Sequence, residues 1–267
     1  MLWGFDSLKG KFTFLGTGAS TGVPVIGCRC SVCISKNPCN KRYRTSGLIE
    51  IEGKKILIDI GPDFRTQALK HNIENLDALF VTHIHSDHIA GIDDVRIFYF
   101  RNKKGLDCYL SSETLEDLKV RYHYLFRPID QVPTVTAQLD LHLLDEDYGS
   151  FSAIGQNFTY LSYFQGKVKV SGLRIGDFAY LSDIKEYDDK IFSHLKGVKT
   201  LVVSALKSAS SPVHFNLDDA VKFSDKAEVD KAYFTHISHD LDHEIINNKL
   251  PSNRQLAFDG QIIEIGG

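Results

Sequence analysis

Nowhere in its 267 residues does the chain carry an apolar run approaching the roughly 20 residues that a membrane-spanning helix needs. Its opening, MLWGFDSLKGKF, lacks the basic segment followed by a long apolar one that marks a secretory leader. Charge of one sign is also missing. The 31 Lys and Arg residues face 34 Asp and Glu residues, so no global field announces a nucleic acid or a membrane surface as a partner. Five cysteines, three of them inside residues 28–33, make a poor disulfide framework for a chain of this length, and crowded thiols in a reducing compartment more often bind metal. There is no internal repeat, no low-complexity tract and no linker. These absences leave one α/β domain over residues 1–267, expected to be soluble and cytoplasmic, with 43% apolar residues to build its core.

What the chain does have is concentrated in residues 78–91, ALFVTHIHSDHIAG, where an apolar run of strand character ends in His83, His85, Asp87 and His88. In extended backbone, side chains two apart share a side, so His83 and His85 are expected to grip one ion. Asp87 and His88 then open a helix and face a second ion in the same pocket. Imidazole mixed with carboxylate suits zinc, manganese or iron and argues against calcium or magnesium.

Three later positions fit the same chemistry. Asp183 ends the strand-like run FAYLSD, and its carboxylate is placed to bridge two ions. His236 closes AYFTH and is expected to complete the second ion's shell, while His239, three residues on, points elsewhere. His214 lies on a loop entering an amphipathic helix, where a histidine can reach substrate. Asp59, at the end of another strand-like run, either orients a ligand histidine from behind or caps a turn.

A second metal group is signalled by GCRCSVC at 27–33, where Cys28, Cys30 and Cys33 can take three corners of a zinc tetrahedron. The fourth corner falls to Cys39 or His239. Gly16 and Gly18 in LGTGAS permit a tight turn with room for a phosphate contact, but no third glycine and helix follow to make a dinucleotide fingerprint.

The remaining pattern is strand-rich. Residues 47–60 read as a hairpin turning at Glu52-Gly53, and PDFRTQALKHN as a helix with Pro62 at its start, Phe64, Ala68 and Leu69 on one side and His71 solvated at its end. DCYLSSETLEDL reads as a strand holding a buried Cys108, then a helix capped by Ser111 or Ser112. Residues 119–150 are aromatic and irregular and are expected to line the substrate mouth, without ligand roles for His123 or His142. The runs FTYLSYF, KVSGLRIG, DFAYLSD, TLVVSAL, KAYFTHISH and QIIEIGG are assigned to a second sheet. EYDDK reads as a solvated helix start, and His194 and His243 as bystanders.

Taken in order, Cys28, Cys30, Cys33, PDFRTQ, THIHSDHIAGIDDVRIF, GDFAYLSD and THISHD resemble, over essentially the whole chain, the PhnP-type branch of metallo-β-lactamase-fold phosphodiesterases. The resemblance implies an αβ/βα sandwich of two mixed sheets flanked by helices, two divalent transition-metal ions (Mn or Zn) in the active site, one structural zinc, and a homodimer. It implies hydrolysis of a small phosphodiester, in the family a ribosyl 1,2-cyclic phosphate. Residue by residue, His83 and His85 hold the first ion, Asp87, His88 and His236 the second, and Asp183 bridges. His214 stands near the leaving group, and His239 joins Cys28, Cys30 and Cys33 on zinc. One ligand departs: the family's remaining histidine is Gln165 here, a weaker donor that implies a loosely held first ion and weakened activity. Ser210 and Ser211 replace a proline-histidine pair before His214. Arg44 and Arg65 are candidates for holding a second phosphate. The rival readings are a nuclease acting on RNA or DNA ends, for which no basic path is visible, and a metal-binding protein without turnover.

Overall fold

The computed structural model describes residues 9–127 and 134–266. β1 (Gly10–Gly16), β2 (Ser46–Ile51), β3 (Lys54–Ile58), β4 (Ala78–Phe80), β5 (Leu106–Leu110) and β6 (Leu139–Leu143) build one sheet. β7 (Tyr148–Ala153), β8 (Gln156–Gln165), β9 (Val168–Ile175), β10 (Phe178–Leu181), β11 (Thr200–Ser204), β12 (Lys231–Thr235) and β13 (Arg254–Leu256) build a second. β14 (Ile262–Ile265) returns to pair with β1, so QIIEIGG closes the first sheet and not the second as its sequence neighbours suggested. Strand orders are β14-β1-β2-β3-β4-β5-β6 and β13-β12-β11-β10-β9-β8-β7. Each sheet has three antiparallel pairs followed by three parallel ones, a duplication of topology that no sequence repeat betrays.

Strand alternation explains the layers. Phe12, Phe14, Ile49, Ile51, Ile56 and Ile58 point between the sheets and meet Phe158, Leu173, Phe178 and Tyr180 from the other side. Their neighbours Leu48, Leu57, Leu79 and Cys108 face outward under the first sheet's helices. The second sheet's outer face is covered by the helices Ile191–Leu195 and Leu217–Lys226, the latter opened by an Asn216/Asp219 capping box. The result is a four-layer αβ/βα sandwich.

Local expectations fare unevenly. The β2–β3 hairpin turns on Glu52 and Gly53, both with positive φ, as its sequence requires. Ser111 caps the helix Ser112–Arg121. The helix after Pro62 runs Phe64–Lys70 and buries Phe64 and Gln67, while Leu69 is 63% exposed and His71 half-buried, against the expected face. Residues 119–150 are more regular than expected, since they hold β6 and the start of β7; residues 128–133 of that stretch lie outside the described residues. EYDDK precedes a helix that begins only at Ile191, and Glu186 bridges to Phe164.

Candidate metal centre

The chemistry gathers at the carboxyl ends of five strands, four of them in parallel pairs and β8 in antiparallel ones, and in the loop beyond β11. Asp59 follows β3, His83, His85, Asp87 and His88 follow β4, Gln165 ends β8, Asp183 follows β10, His214 lies beyond β11, and His236 follows β12. That edge is where open α/β sheets leave a crevice. Asp59, Asp183 and His236 all have positive φ, 60°, 54° and 55°, a left-handed kink that turns each side chain off its strand. Such kinks cost of order 1 kcal/mol each and persist where a site fixes them. Gly61 belongs to the same edge: a Cβ there would stand 2.1 Å from the Asp87 carbonyl oxygen, so only glycine lets the β3 loop cross beneath the metal loop.

Asp183 is the hub. Its Oδ2 lies 3.1 Å from His88 Nε2, and its Oδ1 lies 3.2 Å from both His236 Nε2 and His214 Nδ1. Asp87 Oδ2 stands 3.4 Å from His236 Nε2 and 3.5 Å from His88 Nε2. His83 Nε2 and His85 Nδ1 are 3.0 Å apart. Bonds of about 2.1 Å to one ion put neighbouring donors roughly 3.0–3.4 Å apart, from right-angled to tetrahedral geometry. The edges of this cluster match those of coordination polyhedra. His88 Nε2 is buried and faces two carboxylate oxygens without a hydrogen bond to either, a nitrogen left for a cation.

Metal-competent atoms gather as His83–His88–Asp183, Asp87–His88–His236 and Asp183–His214–His236. His83 shares a group with His88 and Asp183, and His85, half-buried, has its Nδ1 3.0 Å from His83 Nε2, a spacing that two ligands of one ion would have. The His214 ring lies within the cluster, with Nε2 2.8 Å from the Gln165 amide nitrogen. Gln165 is buried at the site as placed by sequence, its amide nitrogen also 3.3 Å from Asp183 Oδ1.

The second group is as compact. His239 Nδ1 lies 3.3 Å from Cys28 Sγ and 3.5 Å from both Cys30 Sγ and Cys33 Sγ. Tetrahedral zinc with S and N bonds of about 2.3 and 2.0 Å separates such atoms by about 3.5 Å. Cys39 is not part of this group; its backbone nitrogen instead donates to Asn37 Oδ1. A family model for the beta-lactamase superfamily domain matches residues 54–237, the span from β3 to just beyond His236. The chain belongs to the metallo-β-lactamase superfamily.

Within the superfamily it is similar to the crystal structure of a diphosphatase from the PhnP family, at 36% identity and a TM-score of 0.90, covering 97% of this chain and 98% of that one. Zinc-bound PqqB from Methylobacterium extorquens shares the fold, with 17% identity and a TM-score of 0.74 over 96% of this chain and all of that one. A curated relative from Porphyromonas gingivalis, named octanoyltransferase, is 34% identical over 251 residues, 92% of this chain. This chain spans only half of that protein's length.

Electrostatics in the superfamily site favour bare ligands. Burial pushes the His83 imidazole well below its ordinary value, with the neighbouring His88 adding to it, so His83 is neutral with a lone pair to offer. Burial would also lower His88, but the charges of Asp59, Asp183 and Asp87 raise it well above. Burial would raise the Asp183 carboxyl, yet the charges of His236 and His88 hold it well below the carboxylate range. Three carboxylates thus crowd round imidazoles, a charge balance that a divalent ion can replace proton for metal. In the cysteine group, the Cys33 backbone N–H pulls the Cys30 thiol down to about 6, an anion prepared for metal.

Two hydroxyls behind the ligands were not anticipated. Thr82 Oγ1 donates to Asp59 Oδ2 at 2.9 Å and stands 2.9 Å from His83 Nδ1, and Ser182 Oγ donates to Asp183 Oδ2 at 2.6 Å. The available signal was a hydroxyl residue directly before a strand-end ligand, as in Thr82-His83 and Ser182-Asp183. Elsewhere the structure closes open questions. Arg44 is tied to Asp63 at 2.9 Å and Arg65 is exposed, so Arg44 is committed to an ion pair. The Gly16–Gly18 turn spends its donors internally, on Asp259 through Thr17 and on Tyr43 through Gly18, and offers no phosphate cradle. His142 pairs with Asp107 at 2.8 Å, away from the cluster.

Proposed function

We propose that the chain is a metal-dependent phosphoric diester hydrolase acting on a small phosphodiester, with two Mn or Zn ions in the His/Asp cluster and zinc in the Cys28–Cys30–Cys33–His239 group. The observation that carries this reading is the Asp183 carboxylate, which gathers with His83, a ligand assigned to the first ion, and also with His236, a ligand assigned to the second. A carboxylate so placed is built to be shared between two cations. When bound, such ions supply a hydroxide near neutral pH and polarise a phosphoryl oxygen. The chain's own residues do the rest. Asp59 and Thr82 fix the rings of His88 and His83, and Ser182 fixes Asp183. Similarity to a PhnP-family diphosphatase supports phosphorus–oxygen bond cleavage as the reaction class. The near balance of acidic and basic residues favours a small molecule over a nucleic acid strand.

Hydrolysis of bis-p-nitrophenyl phosphate with added Mn2+ tests the proposal. Turnover that depends on Mn2+ and is abolished by Asp183→Asn is expected; no rate above background with metal confirmed bound rejects it in favour of a metal-binding protein without turnover.

A further inference from the structure

Three groups converge on Oδ1 of Asp183: His236 Nε2 at 3.2 Å, His214 Nδ1 at 3.2 Å and the Gln165 amide nitrogen at 3.3 Å. Asp183, His214 and His236 offer three ligand atoms all within 4.8 Å of one another. The His214 and His236 rings lie nearly parallel, 5.1 Å apart with 23° between planes. On its far side His214 Nε2 meets the Gln165 amide at 2.8 Å. A ligating imidazole has this arrangement, one nitrogen at the ion and the other held by a group that fixes the ring. A group that hands a proton to a leaving oxygen needs a nitrogen free to meet substrate. Both nitrogens of His214 are engaged inside the cluster.

We propose that His214 is a metal ligand in this chain, on the same ion as His236, and that Gln165 is its positioning residue. The inference rests on the two-ion centre proposed above. One of the amide's two orientations produces it. With the carbonyl oxygen toward His214, Gln165 accepts the Nε2–H and leaves the Nδ1 lone pair facing Asp183 Oδ1 and His236 Nε2. The acceptors then converging beside Asp183 are stable together only with a cation among them. Position 165 thereby supports a ligand instead of being one.

The test counts bound Mn2+ by loss of the free-ion paramagnetic resonance signal. Mn2+ prefers nitrogen and oxygen donors to thiolates, so it reads the His/Asp cluster and leaves the cysteine group to zinc. Wild type is expected to bind two Mn2+ per chain. His214→Ala is expected to keep one and to weaken the other at least about tenfold. Gln165→Ala weakens the same ion by less, and the double variant is no weaker than His214→Ala alone, because the amide acts only through the ring. One zinc per chain, retained in every variant, certifies the fold; if His214→Ala loses it, His214→Phe takes its place. Unchanged affinity for both ions in the position-214 variant overturns the assignment. So does a Gln165→Ala effect that persists undiminished in the double variant. The two readings fail differently: a chain that binds two ions but never cleaves the aryl diester loses the hydrolase reading alone. A position-214 variant that keeps both ions but loses turnover loses the ligand assignment alone.

Discussion

Asp59 Oδ2 lies 2.6 Å from His88 Nδ1, and both side chains are fully buried. A hydrogen bond this short fixes which His88 nitrogen carries the proton and aims Nε2 at Asp183. The same carboxylate accepts from the Thr82 backbone N–H and hydroxyl, and that hydroxyl meets His83. One buried acid therefore orients ligands of both proposed ions.

Asp59→Ala is therefore expected to weaken Mn2+ binding by about 10–100-fold without removing a single direct ligand. Calorimetric titration reads this, and a variant that binds as wild type does would show the hydrogen bond to be incidental.

Gly61→Ala forces a methyl group to within 2.1 Å of the Asp87 carbonyl oxygen unless the backbone moves. Overpacking of this kind costs about 1–3 kcal/mol. Urea unfolding is expected to show that loss together with weaker Mn2+ binding, since the atom displaced belongs to a ligand. A stability loss with no change in binding would mean that the β3 loop yields and the metal loop does not.

Cys33→Ser is expected to lower the zinc content from one ion per chain to none and to lower Tm, because ligand-binding free energy in such a group is folding free energy. His236 and His239 flank the same short segment beyond β12, so loss of zinc should also weaken Mn2+ binding. Atomic absorption and Mn2+ titration on one sample check both; full Mn2+ affinity in a zinc-free variant would show the two centres to be independent.

Acid sensitivity has a contributor away from the metals. Burial, reinforced by the Arg42 charge, lowers the His243 imidazole to about 4 from 6.5. The unfolded chain then binds the proton more readily, so stability from this group is present above pH 6.5 and is lost as pH falls toward 4. Replacing His243 with Gln should remove that part of the slope. The urea midpoints of wild type and variant should converge between pH 6.5 and 4; parallel profiles would contradict the assignment.

Much of the site was legible because strand ends declare themselves: an apolar run stopping at His83, Asp183 or His236 needs only the direction of the chain to be read. The cysteine–histidine group was equally open, since Cys28, Cys30 and Cys33 are local and His239 follows His236 by three residues. The orientation of His214 was hidden, because a loop histidine is turned by its contacts with Gln165 and Asp183, which lie far off in sequence. β14 was misassigned for a related reason. An alternating strand such as QIIEIGG records which face is buried but not which sheet it joins. Leu69 failed in the opposite sense, apolar in a helical pattern yet on the solvent side.

The most direct test is anomalous scattering from crystals of the chain grown with Mn2+. The account predicts two manganese peaks, both in contact with the Asp183 carboxylate, with His214 Nδ1 bonded to one of them, and a zinc peak among Cys28, Cys30, Cys33 and His239. Density for zinc alone, with the His/Asp cluster bare at saturating Mn2+, would contradict it.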